Sequence, residues 1–386
     1  MLSSSVVGRI SAIKTPFYLY DMDLLRKTLE AAAEGARKRG YRLHYAVKAN
    51  FDPRVLALIR QYGLGIDCVS GGEVRCAIES GFDPSGIVYA GVGKSDDEIR
   101  YAVGQGIFSL NCESLEELAA VNDICGEMGK VQNVALRINP DVDPRTHKCI
   151  STGQADSKFG ISYEDAFSKA EWIQSLRNIR IRGLHLHVGS QITHMEVFEE
   201  LCLKVNDIME GLIGAGFSFD YIDLGGGLGI DYDCPEREPV PQFEAVYQTV
   251  ERTLKADGRS VHFEFGRAIV GQCGELVTSV LFRKTTATGR ELVIVDASMS
   301  ELIRPALYGS HHDIENLTSH SYDSKTYTVV GTVCESTDVF ARDIELPTTV
   351  RGDILTIKSA GAYGMSMASR YNLHDIHPAV YSDELL

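Results

Sequence analysis

The sequence has no excess of positive charge and no basic cluster. Its 386 residues include 38 Lys and Arg against 53 Asp and Glu, which gives a formal net charge of -15 at pH 7. A field of this sign opposes nucleic acids and anionic membrane surfaces as partners. An anionic ligand must therefore be captured by a local site and not by the overall charge of the protein.

Long apolar runs and cysteine pairs are also absent. No run reaches the roughly 18–20 apolar residues that span a bilayer. The first residues, Met1–Ser5, lack the basic region and apolar stretch of a signal peptide. The nine cysteines are odd in number and include no CxxC pair. We therefore expect a soluble cytoplasmic protein with reduced thiols.

Short apolar runs alternate with amphipathic segments from about residue 25 to residue 270. Eight runs predict strands: Leu43–Val47, Gly65–Val69, Ile87–Ala90, Ile107–Leu110, Val134–Ile138, Gly183–Val188, Tyr221–Leu224 and Val261–Phe265. The segments with helical spacing include Met22–Arg37 before the first strand and Ser114–Cys125, Tyr163–Ser175, Met195–Leu212 and Pro241–Ala256 between strands. Strands that alternate with helices imply parallel βαβ units. Eight such units predict a (β/α)8 TIM barrel, with a doubly wound open sheet as the alternative.

The pattern changes after Ile269. Four further strand-like runs follow with little helical periodicity between them: Leu276–Phe282, Glu291–Val295, Tyr327–Thr332 and Ile354–Lys358. The early segment Pro16–Tyr20 is also strand-like. We therefore predict a barrel at residues 25–270 and a C-terminal β-rich domain, of β-sandwich or β-barrel type, at 271–386 that includes residues 1–24 and their strand.

One connection inside the predicted barrel is unusually long. It runs from Asn139 to Ile161 and is rich in Gly, Ser, Asp and Pro. Connections longer than about 12–15 residues are often lids or binding loops. Length alone favours a lid and a surface insertion equally.

Polar residues recur where the predicted strands end. A barrel of this kind has its active site at the C-terminal ends of its strands, so these residues should converge on one rim. They are Lys48, Asp67, Arg137, Asn139, His185, His187, Ser190, Gly225–Gly227, Glu264 and Arg267.

Lys48 and the glycine run Gly225–Gly229 together indicate pyridoxal phosphate. A lysine amine at a strand end can form a Schiff base with a carbonyl. Glycines let backbone N–H groups approach phosphate oxygens, although such a run can also be a plain turn. Glu264 is the candidate to face the pyridine nitrogen and keep it protonated, which strengthens the cofactor as an electron sink. A structural ion pair with Arg267 is the alternative for Glu264.

His185 and His187 lie two residues apart on a strand, so both should face the same way. A pair of metal ligands in a barrel hydrolase is one interpretation. No further His or Asp cluster at the strand ends completes such a site, and we expect no metal. His187 is the better candidate to stack on the cofactor ring, with His185 packed or hydrogen-bonded.

These elements together resemble the fold-type III pyridoxal phosphate enzymes, which are the alanine racemase-like barrels, and within them the diaminopimelate decarboxylases. The matching elements follow the order of that family: Ala46–Asn50, Ser157–Gly160, His185–Gln191, Gly225–Gly227, Glu264–Arg267, Arg304–Tyr308, Cys334–Asp338 and Ala360–Tyr363. The family usually has proline where this chain has Phe265. Proline fixes φ, so we expect the turn at Phe265 to be slightly looser.

The resemblance implies a role for each matching residue. Lys48 would hold pyridoxal 5'-phosphate through its amine, His187 would stack on the ring, Ser190 and the triple glycine would bind the phosphate, and Glu264 would contact the pyridine nitrogen. The full set of implied cofactor contacts is Lys48, Asp67, His187, Ser190, Gly225, Gly226, Gly227, Glu264, Gly266, Arg267 and Tyr363. The implied substrate contacts are Arg267, Arg304, Tyr308, Glu335 and Tyr363.

Cys334 would supply a proton, and the segment Asn139–Ile161 would be a mobile lid. The resemblance further implies a homodimer in which Cys334 and Glu335 come from the partner. The implied reaction converts meso-2,6-diaminopimelate to L-lysine and CO2, the last step of lysine biosynthesis. An ornithine-type or carboxynorspermidine-type decarboxylase is the alternative, followed by a non-enzymatic pyridoxal phosphate-binding homologue.

Overall fold

The computed structural model describes residues 8–145 and 157–385. Tertiary contacts divide the chain into two compact units. The barrel unit comprises Leu29–Gly229 and Gln242–Gly266, and the β unit comprises Met1–Thr28, Ile230–Pro241 and Arg267–Leu386. No helix in either described range is long and apolar enough to cross a membrane.

The barrel unit contains eight parallel strands that close on themselves. In chain order they are β2 (Arg42–Ala46), β3 (Gly65–Cys68), β4 (Ile87–Tyr89), β5 (Ser109–Cys112), β6 (Gln132–Arg137), β7 (Ile179–His185), β8 (Tyr221–Asp223) and β9 (Ser260–Phe265). The last strand pairs with the first in the register Leu43 to Phe263, which closes the sheet. The (β/α)8 barrel is therefore confirmed, and the open sheet is wrong.

Helices connect these strands. They are α1 (Met22–Arg39), α2 (Pro53–Gln61), α3 (Gly71–Glu79), α4 (Asp96–Gln105), α5 (Leu115–Glu127), α6 (Tyr163–Ser168), α7 (Ala170–Ser175), α8 (Met195–Gly214) and α9 (Phe243–Thr253). The segment predicted as one helix over Tyr163–Ser175 is two helices. The backbone leaves helical geometry at Lys169, with φ -102° and ψ 11°, and the chain turns there.

Local sequence signals set the bounds of the helices. Ser95 and Glu98 form a reciprocal capping box at the start of α4. Gly106 ends that helix with φ 72°, a conformation that costs glycine little. Ser70 and Ser114 cap α3 and α5, each by accepting a backbone N–H from the third residue of the helix.

The β unit is built on a mixed sheet of eight strands. They are β1 (Phe17–Tyr20), β10 (Gly274–Thr285), β11 (Glu291–Val295), β12 (Ile314–Asn316), β13 (Ser324–Val330), β14 (Val339–Pro347), β15 (Ile354–Ile357) and β16 (Val380–Tyr381). Two short helices, α10 (Arg267–Val270) and α11 (Arg304–Tyr308), belong to the same unit. Strand β1 pairs antiparallel with β10, with Phe17 opposite Val277, so the N-terminal strand joins this sheet as predicted.

The long connection after β6 is anchored at both ends. Asn139 donates its backbone N–H to Ile161 O at 3.0 Å, and Ile161 donates to Arg137 O at 2.8 Å. Residues 146–156, the central 11 of the 23 residues of the predicted lid, fall outside the described ranges.

Candidate active site

Lys48 has a rigid backbone and an accessible amine. It lies in a 3₁₀ turn, Val47–Ala49, directly after β2. A Cβ placed on Gly266 would lie 3.0 Å from Ala46 Cβ, so the backbone after β9 packs tightly against this turn. The side chain of Lys48 is 39% exposed, whereas that of Asp67, whose Oδ2 lies 3.3 Å from Lys48 Nζ, is 1% exposed. Lys48 can therefore meet a ligand from a fixed position.

Glu264 is buried at the end of β9 between two barrel side chains. Its Oε2 lies 3.1 Å from His185 Nε2, and its Oε1 accepts a longer hydrogen bond of 3.4 Å from Asn111 Nδ2. His185, which we predicted to be packed or hydrogen-bonded, thus directly contacts Glu264, the candidate partner of the pyridine nitrogen.

Three buried carboxyl groups share the interior of the barrel, and they differ in charge. Burial raises the pKa of Asp67 and of Asp223 above its ordinary value, and the nearby Glu264 charge adds to both shifts. Burial also opposes ionisation of Glu264, but the charge and hydrogen bond of His185, with the charge of Lys48, outweigh it and lower the pKa of Glu264. Glu264 is therefore the group that holds the negative charge.

The glycine run after β8 packs against backbone that leaves no space for side chains. A Cβ on Gly226 would lie 2.1 Å from the carbonyl oxygen of Glu264, and Gly227 adopts φ 107°. Ile192, just beyond Ser190, donates its N–H to Gly227 O at 2.8 Å and joins the two loops. Backbone groups can consequently approach a ligand closely at this rim.

His187 is held by the same loop as a neutral ring. The N–H of Gly226 donates to His187 Nδ1 at 3.2 Å, so that nitrogen carries a lone pair. Burial, followed by the charges of Arg137 and Lys48, lowers the pKa of His187 to about 3. Both observations indicate that the imidazole of His187 is uncharged near neutral pH. An uncharged imidazole is suited to stack on the ring of a cofactor.

A second cluster lies in the β unit and is formed by two buried arginines. Arg267 Nη1 donates to Tyr232 Oη at 2.6 Å, and its guanidinium lies 4.9 Å from the ring centre of Tyr363. The guanidinium of Arg304 lies 4.9 Å from the ring centre of Tyr232. Tyr308 is one turn from Arg304 in α11, so the two side chains share a helix face. No carboxylate of the described residues pairs with Arg304.

Cys334 and Glu335 lie in an exposed loop between β13 and β14. Cys334 donates its backbone N–H to Asn372 Oδ1 at 2.8 Å, and Glu335 Oε1 accepts a hydrogen bond from Tyr371 Oη at 2.7 Å. Both predicted residues are thus held by one neighbouring segment.

Comparison with known proteins places these clusters in a family. Residues 23–271 match the pyridoxal-dependent decarboxylases through their pyridoxal binding domain. The chain belongs to the pyridoxal-dependent decarboxylase family. It is 46% identical over 382 residues to a diaminopimelate decarboxylase of Bacteroides thetaiotaomicron, with 98% of each chain covered. It is 40% identical to a diaminopimelate decarboxylase of Aquifex aeolicus, covering 93% of this chain and 84% of that one.

Solved structures agree with this assignment. The crystal structure of Helicobacter pylori diaminopimelate decarboxylase complexed with L-lysine superposes with a TM-score of 0.89 at 37% identity, covering 95% of this chain and 91% of that one. The predicted family, its pyridoxal cofactor and the decarboxylase class are therefore confirmed.

The barrel residues of this pyridoxal-dependent decarboxylase fit the cofactor. The accessible amine of Lys48 suits the aldehyde of the cofactor. The charged, buried carboxylate of Glu264 suits the pyridine nitrogen, and the glycine loop, which has no space for side chains, suits the phosphate. Metal ligation is the alternative use of the histidines. His185 groups with Asp223 and Glu264 within 4.8 Å, and His44 with Asp223 and His262, but no such group in the described ranges contains both His185 and His187.

Phe265, where the family usually has proline, remains in regular strand geometry. It pairs with Tyr45 of β2 and is the last residue of β9. Its ring lies 5.3 Å from the rings of Phe243 and Phe263 in a buried aromatic cluster. The expected loosening of the turn stays a prediction.

Sequence reasoning missed four residues that hold the site together. Glu113 pairs with Arg137, with Oε1 2.7 Å from Nη1, and its other oxygen accepts the N–H of Gly160 at 3.3 Å. Its one signal was an acidic residue at the end of β5. The other three, His312, Tyr371 and Asn372, contact partners 8 to 38 residues away in sequence and gave no periodic signal.

Proposed function

We propose that this chain decarboxylates meso-2,6-diaminopimelate at its D-configured carbon and releases L-lysine and CO2, the last step of lysine biosynthesis. The observation that carries the substrate assignment is Arg304, a buried guanidinium that no carboxylate of the described residues neutralises. A buried charge of this kind is expensive unless a ligand compensates it. The full-length identity to diaminopimelate decarboxylases supports the same substrate.

The barrel residues hold the cofactor in this proposal. Pyridoxal phosphate, when bound, supplies an electron sink for the charge left by CO2. Lys48 anchors it through the amine, neutral His187 covers the ring, and Ser190 with the loop Gly225–Gly227 receives the phosphate. Glu264 keeps a negative charge at the pyridine nitrogen, and Asp67 adjoins the Lys48 amine. Gly266 lets the backbone behind Glu264 pack against the Lys48 turn.

The β unit supplies the substrate contacts. Arg267 and Arg304 bind carboxylate, which a planar guanidinium can hold through two parallel hydrogen bonds. Tyr308 and Tyr363 add hydroxyl groups, with Tyr363 assigned in this proposal to the cofactor phosphate or the substrate, and Glu335 binds the distal ammonium group. Substrates of the ornithine or carboxynorspermidine type lack the distal carboxylate and would leave Arg304 unpaired.

Cys334 is the proposed proton donor after CO2 has left, with Lys48 as the other candidate. We further propose a homodimer in which Cys334 and Glu335 serve the site of the partner subunit. The exposure of both residues supports this arrangement. A reducing, cytoplasmic location is proposed as well, because all eight cysteines in the described ranges are free thiols.

The substrate is tested by measuring CO2 release from a panel of diamino acids. We expect release from meso-2,6-diaminopimelate and little from ornithine, carboxynorspermidine or LL-diaminopimelate. Lys48→Ala should abolish release together with the visible absorbance of the bound cofactor. Activity on ornithine without activity on meso-2,6-diaminopimelate would contradict the proposal.

Sharing of the site between subunits is tested by mixing two inactive chains. Lys48→Ala and Cys334→Ala homodimers should each be inactive or slow. Mixed dimers, separated by a tag on one chain, should recover part of the activity because one site in each dimer is intact. Confirmed mixed dimers with no recovery would exclude shared sites.

A further inference from the structure

Two consecutive residues of one segment bond to two consecutive residues of another. Tyr371 Oη donates to Glu335 Oε1 at 2.7 Å, and Asn372 Oδ1 accepts the backbone N–H of Cys334 at 2.8 Å. The first bond therefore holds Glu335, the proposed amine-binding carboxylate. The second holds Cys334, the proposed proton donor. The two hydrogen bonds thus fix Cys334 and Glu335 together.

The segment that makes these bonds has an unusual backbone. Asn372 and Leu373 are consecutive non-glycine residues with positive φ, at 51° and 62°. Asparagine tolerates this region better than most residues, whereas leucine rarely adopts it. Such a conformation persists only where surrounding structure enforces it, and it occurs often at functional sites.

Further hydrogen bonds hold the segment in place. Ser300 Oγ donates to the carbonyl oxygen of Tyr371 at 3.4 Å, and the N–H of Ser369 donates to Ser300 O at 2.9 Å. The hydrogen bond to Glu335 is also the leading cause that raises the pKa of Tyr371, which agrees with a phenol that donates to this carboxylate. Tyr371 thus acts from an anchored backbone.

We propose that Tyr371 and Asn372 are positioning residues: Tyr371 orients the Glu335 carboxylate toward the distal ammonium group of the substrate, and Asn372 sets the backbone from which Cys334 delivers its proton. This inference rests on the proposed function. Tyr371 occupies one oxygen of Glu335 and leaves the other for the ammonium group. An exposed glutamate otherwise samples many rotamers, and ordering it before substrate arrives removes that cost from binding.

Substitutions at Tyr371 and at Asn372 should affect different kinetic constants, KM for Tyr371 and kcat for Asn372. Tyr371→Phe removes only the donor, so KM should rise about three- to tenfold while kcat stays within about twofold. The dissociation constant of the product L-lysine, measured by calorimetry, should rise by the same factor because lysine keeps the distal amine. Asn372→Ala should lower kcat about tenfold with a smaller change in KM, and Asn372→Asp, which keeps the acceptor, should restore most of it.

Matched variants control for folding and for nonspecific effects. Tyr322 is fully exposed in the same unit, so Tyr322→Phe removes a phenol hydroxyl without touching the loop and should match the wild type. In the background of Glu335→Gln, adding Tyr371→Phe should change KM by less than about twofold, because the partner is already lost. Unfolding midpoints within a few degrees of wild type would show that the variants fold.

The outcomes distinguish this inference from the function on which it rests. An active wild type with unchanged KM and lysine affinity in Tyr371→Phe, or additive effects of Tyr371→Phe and Glu335→Gln, would overturn the role of Tyr371. Equal loss in Asn372→Ala and Asn372→Asp would overturn the role of Asn372. A folded wild type that neither releases CO2 from meso-2,6-diaminopimelate nor binds L-lysine would overturn the proposed function itself, and the substrate roles of both residues with it.

Discussion

His312 Nε2 lies 2.9 Å from Arg304 Nη1, and both side chains are buried. The other ring nitrogen, Nδ1, lies 2.9 Å from the carbonyl oxygen of Lys358 and must carry the proton that it donates there. Burial, followed by the charge of Arg304, lowers the pKa of His312 to about 3. Arg304 is therefore fixed by a neutral acceptor, which leaves its positive charge for a ligand carboxylate.

Replacing His312 should separate carboxylate binding from chemistry. His312→Leu removes the acceptor, frees the guanidinium to turn and leaves an N–H buried, so KM for meso-2,6-diaminopimelate should rise about tenfold or more with a smaller loss in kcat. His312→Gln, which places an amide oxygen near the position of Nε2, should recover part of that loss. Steady-state kinetics of both variants provide the measurement, and equal KM values for Leu and Gln would contradict the role.

The His185–Glu264 pair should control the electronic state of the bound cofactor. His185→Leu removes the nearest donor and the largest influence that lowers the pKa of Glu264. The pKa of Glu264 should therefore rise, and a smaller fraction of this carboxyl group should be ionised. We expect kcat to fall about 10- to 100-fold and the absorbance of the bound cofactor to change with pH where the wild type stays constant. Asn111→Ala removes the longer bond of 3.4 Å and should have a smaller effect. The same pH response in wild type and His185→Leu would refute this prediction.

Sequence periodicity was sufficient to predict the barrel and the rim on which the candidate cofactor residues lie. Because parallel strands end on one rim, Lys48, His187 and Glu264 could be placed from strand order alone. The short strands β12 and β16 carry too few residues for alternation to show. His312 and Tyr371 could not be predicted, because each acts through one side chain whose partner is set by tertiary packing and not by local pattern, whereas the position of Glu113 directly after β5 was a signal that could have been used.

Acid should destabilise the barrel through a buried histidine pair. His44 Nε2 lies 3.0 Å from His262 Nδ1, and the outer nitrogens lie 3.2 Å from Gly86 O and 3.0 Å from Ser260 Oγ, a chain that is broken when His44 takes up a proton at Nε2. Burial lowers the pKa of His44 to about 4 and that of His262 to about 2. The folded state therefore binds fewer protons than the unfolded chain, whose histidines titrate near pH 6.5.

The stabilisation from this pair is fully present above about pH 6.5 and is lost as the pH falls toward 4. The His44 shift alone corresponds to about 3 kcal/mol at pH 4. Denaturant unfolding at pH 7 and pH 4.5 measures it. His44→Gln, although less stable at pH 7, should lose less free energy of unfolding between the two values. An identical pH dependence in variant and wild type would show that His44 does not titrate in this way.

A methyl group at Gly226 should disrupt the cofactor loop without changing its chemistry. Its Cβ would lie 2.1 Å from the carbonyl oxygen of Glu264, so either the glycine loop or the end of β9 must move. Cofactor titration followed by absorbance should show at least tenfold weaker binding for Gly226→Ala, and overpacking of this kind typically costs about 1–3 kcal/mol of stability.

Gly214→Ala is the matched control for this substitution. Gly214 ends α8, and a Cβ there meets nothing within 4 Å. Alanine should raise the free energy of unfolding by up to about 0.5–1 kcal/mol, because it restricts the unfolded chain and favours the helix. Cofactor affinity should not change. If Gly226→Ala bound the cofactor as tightly as Gly214→Ala does, the close approach of the glycine loop to Glu264 would have no part in forming the site.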